Sequence, residues 1–122
     1  MIPYPVYKLV HFLGIFSVLI ALALMCAHVL RGGTRADYPY RKQTGAVHGI
    51  GMLLILVGGF GMLARLGFHG LPGWIIAKLV IWLFIGASAG LAFRGASIAR
   101  VLLILLPFIG VLAAFFALYK PF

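Results

Sequence analysis

Four apolar runs take up most of this chain, and each is close to the ~20 residues an α-helix needs to cross the hydrocarbon core of a bilayer. They cover about 7–30, 44–64, 74–93 and 101–119. In lipid every backbone N–H and C=O must be satisfied within the segment, so runs of this length form helices. The connections between them are short and carry charges and helix breakers: Arg31-Gly32-Gly33 after the first run, Gly67, Gly70, Pro72 and Gly73 after the second, and Arg94 to Arg100 after the third. Loops this short make consecutive helices antiparallel neighbours. The expected structure is therefore a single all-α transmembrane domain over 1–122, an integral-membrane up-down four-helix bundle. Pro107 lies inside the fourth run, where it is expected to kink the helix.

Charge narrows the chemistry. Asp37 is the only carboxylate side chain, against ten Lys and Arg. Two-carboxylate catalysis, carboxylate-rich metal cages, aspartyl nucleophiles and triads that need an orienting acid are excluded. The net charge of +9 does not indicate nucleic acid, because the basic residues are spread among apolar segments and suit anionic headgroups and topology fixing instead. Arg31, Arg35, Arg41, Lys42, Arg94 and Arg100 fall on one side of the bundle, and Lys8, Arg65 and Lys120 on the other. Six against three places both termini on the non-cytoplasmic side of a bacterial-type inner membrane. Tyr4, Tyr7, Trp74 and Tyr119 then belong to an outer aromatic belt, with Tyr38 and Tyr40 at the inner interface. The first run is as long as a full span and has no small-residue cleavage site after it, so it reads as a retained helix. Cys26 is the sole cysteine, which precludes an internal disulfide.

The ionisable residues inside or beside the spans sort into two sets by depth. At the outer end, Lys8 and His11 stand at i, i+3 on the first helix, and Lys78 enters from the third, one turn after Trp74. An ammonium within a membrane segment must snorkel, pair or meet an anionic group, and the one acid lies at the opposite end. Lys78 therefore either snorkels or contacts an anion such as a haem propionate, while His11 is either a ligand or a structural histidine bonded to a carbonyl. His69, in a glycine-rich turn, reads as a solvated loop residue. At the inner end, His28 on the last turn of the first helix and His48 on the first turn of the second face one another across a hairpin. His48, Gly51, Ile55, Gly59 and Met62 share a stripe at about 100° per residue. Such an arrangement is what a bis-histidine b-type haem in a bundle would use, and it equally suits two interfacial histidines near a basic loop. His11, His28 and His48 are thus the candidate metal ligands. No two histidines have zinc-type i, i+3 or i, i+4 spacing. The glycines of the second helix and the Gly86-x-x-x-Gly90 pair suit close helix packing, with room for a flat macrocycle beside a histidine as the alternative.

Two motifs, Tyr4-x-x-Tyr7-Lys8-x-x-His11-x-x-Gly14-Ile15 and Gly73-Trp74-x-x-x-Lys78-Leu79, resemble the HemJ-type protoporphyrinogen oxidase, CopD and SirB group of small membrane proteins. They cover parts of the first and third helices, about a third of the chain. The resemblance implies b-type haem binding through the first-helix histidine, His11, with the third-helix lysine, Lys78, in the same region. The chain is shorter than HemJ-type proteins, has Asp37 as its only acidic loop residue, and has His28 at a spacing that group does not use.

Two functions follow as expectations. One is binding of haem b, or a porphyrin or quinone-like ligand, for electron transfer or haem-related redox chemistry, with His11 as ligand and Lys78 and Lys8 near the anionic edge. The other is a non-catalytic accessory subunit, packed in the bilayer against a larger respiratory, photosynthetic or transport complex or against further copies of itself. Copper handling is a third option, but the four Met residues form no cluster.

Overall fold

A computed structural model describes residues 2–68 and 70–122. The chain forms four long helices, α1 (Tyr4–Leu30), α2 (Arg41–Arg65), α3 (Gly73–Leu91) and α4 (Ala96–Tyr119), with one 3₁₀ turn (Ala92–Arg94) between the last two. All four are long and apolar enough to cross a membrane, and the chain is a multi-pass four-helix membrane protein.

All four helices start before their apolar runs, α3 by one residue and the others by three to five. α1 begins at Tyr4, with Pro5 in its first turn, where a missing N–H costs nothing. Gly95 releases the chain into α4 at Ala96, so Arg100 belongs to the helix and not to a polar loop. Pro107 leaves α4 continuous. α1 stops at Arg31 in a glycine-based cap: Gly32 takes a φ of 90°, its N–H donates to the Val29 carbonyl at 3.0 Å, and the Gly33 N–H donates to the His28 carbonyl at 3.0 Å.

α1 and α2 form the closest pair, and glycines set their separation. A Cβ built on Gly14 would fall 2.6 Å from the Gly51 carbonyl oxygen, and one on Gly58 would fall 2.6 Å from the His11 nitrogen. The two backbones touch, as small residues allow in lipid, where no hydrophobic force draws helices together. The glycine stripe of α2 is thus filled by α1. On α3, Gly86 packs against Met52 while Gly90 stays open. α3 is tied to α2 by two side-chain bonds: the Trp82 indole N–H donates to the Met52 carbonyl at 3.0 Å, and His48 Nε2–H donates to the Ile85 carbonyl at 3.3 Å.

Packing is uneven along the bundle. The core of Val18, Leu22, Met25, Cys26, Ala99, Leu102 and Leu106 lies toward the end that carries the α1–α2 loop. At the opposite end α4 buries nothing beyond Leu106. There the start of α3 and the end of α4 meet, the Trp74 N–H donating to the Phe122 carbonyl oxygen at 3.1 Å.

Candidate functional site

His11 is 7% exposed, on the face of α1 that meets α2. Its Nδ1–H donates to the Ile55 carbonyl at 2.8 Å. A proton fixed on Nδ1 leaves the lone pair on Nε2, the tautomer a ligating histidine adopts when a carbonyl holds its other ring nitrogen. Among the described residues Nε2 makes no hydrogen bond. The carbonyl of Ile55 is available because Gly58 and Gly59 bear no side chain beside the ring; a Cβ at Gly59 would already touch His11 Cε1 at 3.5 Å.

Lys78 reaches the same region from α3 and is the cation that acts electrostatically on the His11 ring, while Lys120 acts on Lys78. Lys120 is held by two contacts: its Nζ donates to the Ala117 carbonyl at 2.7 Å and lies 5.2 Å from the centre of the Trp74 ring. Trp74 precedes Lys78 by one helical turn, which brings both cations to one edge of α3. No carboxylate side chain exists at this end to neutralise them. Lys8 stands apart. It is exposed and lies 5.9 Å from the centre of the Phe12 ring, along the outer surface of α1, although i, i+3 spacing puts it near His11 in sequence. His69 lies outside the described residues.

His28 and His48 each have a partner of their own. His28 Nε2–H is shared between the Asp37 carboxylate at 2.8 Å and the Thr34 carbonyl at 2.9 Å, and its ring stacks on Tyr38 with centroids 4.5 Å apart. Gly33 packs against the ring, so close that no side chain would fit. His48 turns instead to α3 and donates to Ile85. His28 therefore serves the α1–α2 loop and His48 the α2–α3 contact, and the two do not form a facing pair. His11 and His48 are no better matched. The Gly58 level of α2, where His11 sits, is ten residues from His48, roughly 15 Å at about 1.5 Å of rise per residue. Their rings also turn to different helices, His11 to the Ile55 carbonyl of α2 and His48 to the Ile85 carbonyl of α3. Among the described residues no three His, Cys, Asp or Glu side chains gather as a metal-binding group.

Sequence reasoning missed the use made of Asp37. Thr34-Arg35-Ala36-Asp37 closes on itself, Asp37 Oδ1 accepting the Thr34 N–H at 2.7 Å and the Asp37 N–H donating to Thr34 Oγ1 at 3.4 Å. This is the reciprocal pairing of a capping box, and the Ser/Thr-x-x-acid spacing was its visible signal. The Thr34 N–H and then the His28 ring hold the Asp37 carboxyl below the usual carboxylate range. Tyr38, stacked on His28, passes the order on to α2 through its hydroxyl, 2.9 Å from Thr44 Oγ1.

No protein-family model, curated protein or solved structure matches this chain.

Proposed function

We propose that this membrane protein binds a haem b, porphyrin or quinone-like ligand at the end of the bundle where His11 and Lys78 meet, in the service of electron transfer or haem-related redox chemistry. The observation that carries the reading is the His11 ring, fixed by Ile55 with Nε2 unused, beside an embedded ammonium that no acid side chain offsets. Such a pair presents a lone pair to a metal ion or a hydrogen bond to a carbonyl oxygen, and a cation to an anionic group such as a propionate. The sparse packing of α4 beyond Leu106 leaves this end the more adaptable one. The two motifs that resemble the HemJ, CopD and SirB group include the same two residues. Bound haem would supply the redox couple; His11 would hold it, and Lys78 with Lys120 would face its anionic edge.

The test is a reduced-minus-oxidised visible spectrum of the protein purified in mild detergent after haem-supplemented expression. Haem binding gives Soret and α bands in the wild type, which His11→Ala abolishes and His48→Ala retains. Bands lost with His48→Ala and kept with His11→Ala would reverse the assignment, and no bands in any sample would remove haem.

A second reading, an accessory subunit of a larger complex or a homo-oligomer, is favoured by how little α3 and α4 bury within the chain. In their most apolar windows 11% of each is buried, against 39% in α1 and 28% in α2. Co-purification with a large complex and a blank visible spectrum would support it.

A further inference from the structure

A second feature lies at the far end of the bundle, independent of His11 and Lys78. Between the α1–α2 loop and the end of α3 is a cleft of about 110 Å³. Arg35 and Arg41 line it, with Tyr38, Met25 and Phe93 as apolar walls and Gly90 on the α3 side. Both arginines are exposed, so water solvates their charges and leaves them open to an anion. The chain has one candidate, Asp37, and its carboxylate is already engaged with the Thr34 N–H and the His28 ring. Among the described residues neither Arg35 nor Arg41 makes an ion pair or a hydrogen bond.

Three further details suit an external anion. α2 begins at Arg41, one of the two arginines, without a side-chain cap, so the positive end of a 25-residue helix lies beside the cleft. The wall is rigid: Tyr38 is pinned by its hydroxyl to Thr44, by stacking on His28, and by Phe93 at a centroid distance of 6.2 Å. A Cβ on Gly90 would meet nothing within 4 Å, so the α3 side of the cleft is open. The volume is comparable to the ~150 Å³ cavity that holds one benzene-sized molecule, which admits a single phosphate-sized group and not a whole lipid or nucleotide. Planar guanidinium forks bind such a group through paired N–H donors, where an ammonium offers only a point charge.

We infer that the Arg35–Arg41 cleft is a binding site for a phosphate group. Membrane phospholipid and free phosphate both carry that chemistry, and the apolar Met25 and Phe93 beside the arginines suit a headgroup with its chains in the bilayer. The experiment is thermal unfolding of the full-length protein in mild detergent, read with added phosphatidylglycerol, phosphatidylcholine or inorganic phosphate, alongside lipid adducts counted by native mass spectrometry. Expected for the wild type is a stabilising shift with phosphatidylglycerol, with one tightly held adduct. Arg35→Ala/Arg41→Ala should weaken the apparent affinity at least tenfold, while Arg31→Ala/Lys42→Ala, which removes two nearby charges outside the cleft, should change it by less than threefold. Arg35→Lys/Arg41→Lys keeps the charge and the fold and should also lose most of the affinity, because the fork is gone. A shift with inorganic phosphate alone that depends on the same arginines supports the site and identifies free phosphate as a sufficient ligand. Equal losses from the two alanine pairs, full retention in the lysine pair, or no shift with either phosphate source would overturn the inference.

Discussion

Gly58→Ala adds one methyl group at the point where α1 and α2 are closest. The new Cβ would lie 2.6 Å from the His11 nitrogen, 2.7 Å from His11 Cβ and 2.7 Å from the Tyr7 carbonyl oxygen. These are backbone or near-backbone atoms, which cannot swing aside as the tip of a side chain does. Restoring ordinary contact requires the helices to part by about 0.8 Å, which stretches the 2.8 Å His11–Ile55 bond toward about 3.6 Å, past useful range. Overpacking of this kind costs about 1–3 kcal/mol. The lost interhelical bond adds about 0.6–1.7 kcal/mol in a membrane setting. Against these, alanine gains up to about 1 kcal/mol of helix propensity. The net expectation is a destabilisation of roughly 1–3 kcal/mol. Gly49→Ala, about two turns past the α2 start at a position with nothing within 4 Å, is the matched control and should stabilise by about 0.5–1 kcal/mol. Reversible unfolding in mixed micelles with rising SDS measures both. Opposite signs are expected; a Gly58→Ala protein as stable as Gly49→Ala would refute backbone-to-backbone packing at this pair.

Removing the indole N–H with Trp82→Phe should cost about 0.6–1.7 kcal/mol in the same assay, since it breaks the bond to Met52 that ties α3 to α2. His48→Leu should cost less, its bond to Ile85 being the longer one at 3.3 Å. Acidification should loosen the α1–α2 loop. The Asp37 carboxyl is held below its unfolded value, so its contribution is present above that value and is lost as pH falls through the lower, folded one. The protection factor of the Thr34 amide, its exchange rate relative to an unprotected amide at the same pH, should therefore be high at neutral pH and fall in that acidic window, and Asp37→Asn should flatten the profile.

What was legible in the sequence is what depends on local pattern. Apolar length gave the four spans, and the glycines of α2 marked the close approach to α1, because both features lie within single segments. Helix starts were less legible, since Tyr4, Arg41 and Ala96 precede the apolar runs and are set by Pro5, the loop and Gly95. The partners of the histidines were least legible. His11 bonds a carbonyl 44 residues away and His48 one 37 residues away, and no spacing rule connects residues across separate helices. His28 was the exception that could have been read, because the Thr34-x-x-Asp37 motif sits only a few residues downstream and delivers an acceptor to the end of α1. Lys8 shows the converse limit. Its i, i+3 relation to His11 holds along the helix, yet the two side chains serve different surroundings.

The most direct measurement on the His11–Lys78 proposal is solvent extraction of the purified wild-type protein, followed by mass spectrometry of whatever is released. It detects haem, porphyrin and quinone alike, without assuming a spectrum. A near-stoichiometric ligand of one of these classes is predicted, retained by His48→Ala and depleted at least tenfold by both His11→Ala and Lys78→Met. Recovery of none of these ligands from the wild type, or of equal amounts from the wild type and both outer-end variants, would contradict it.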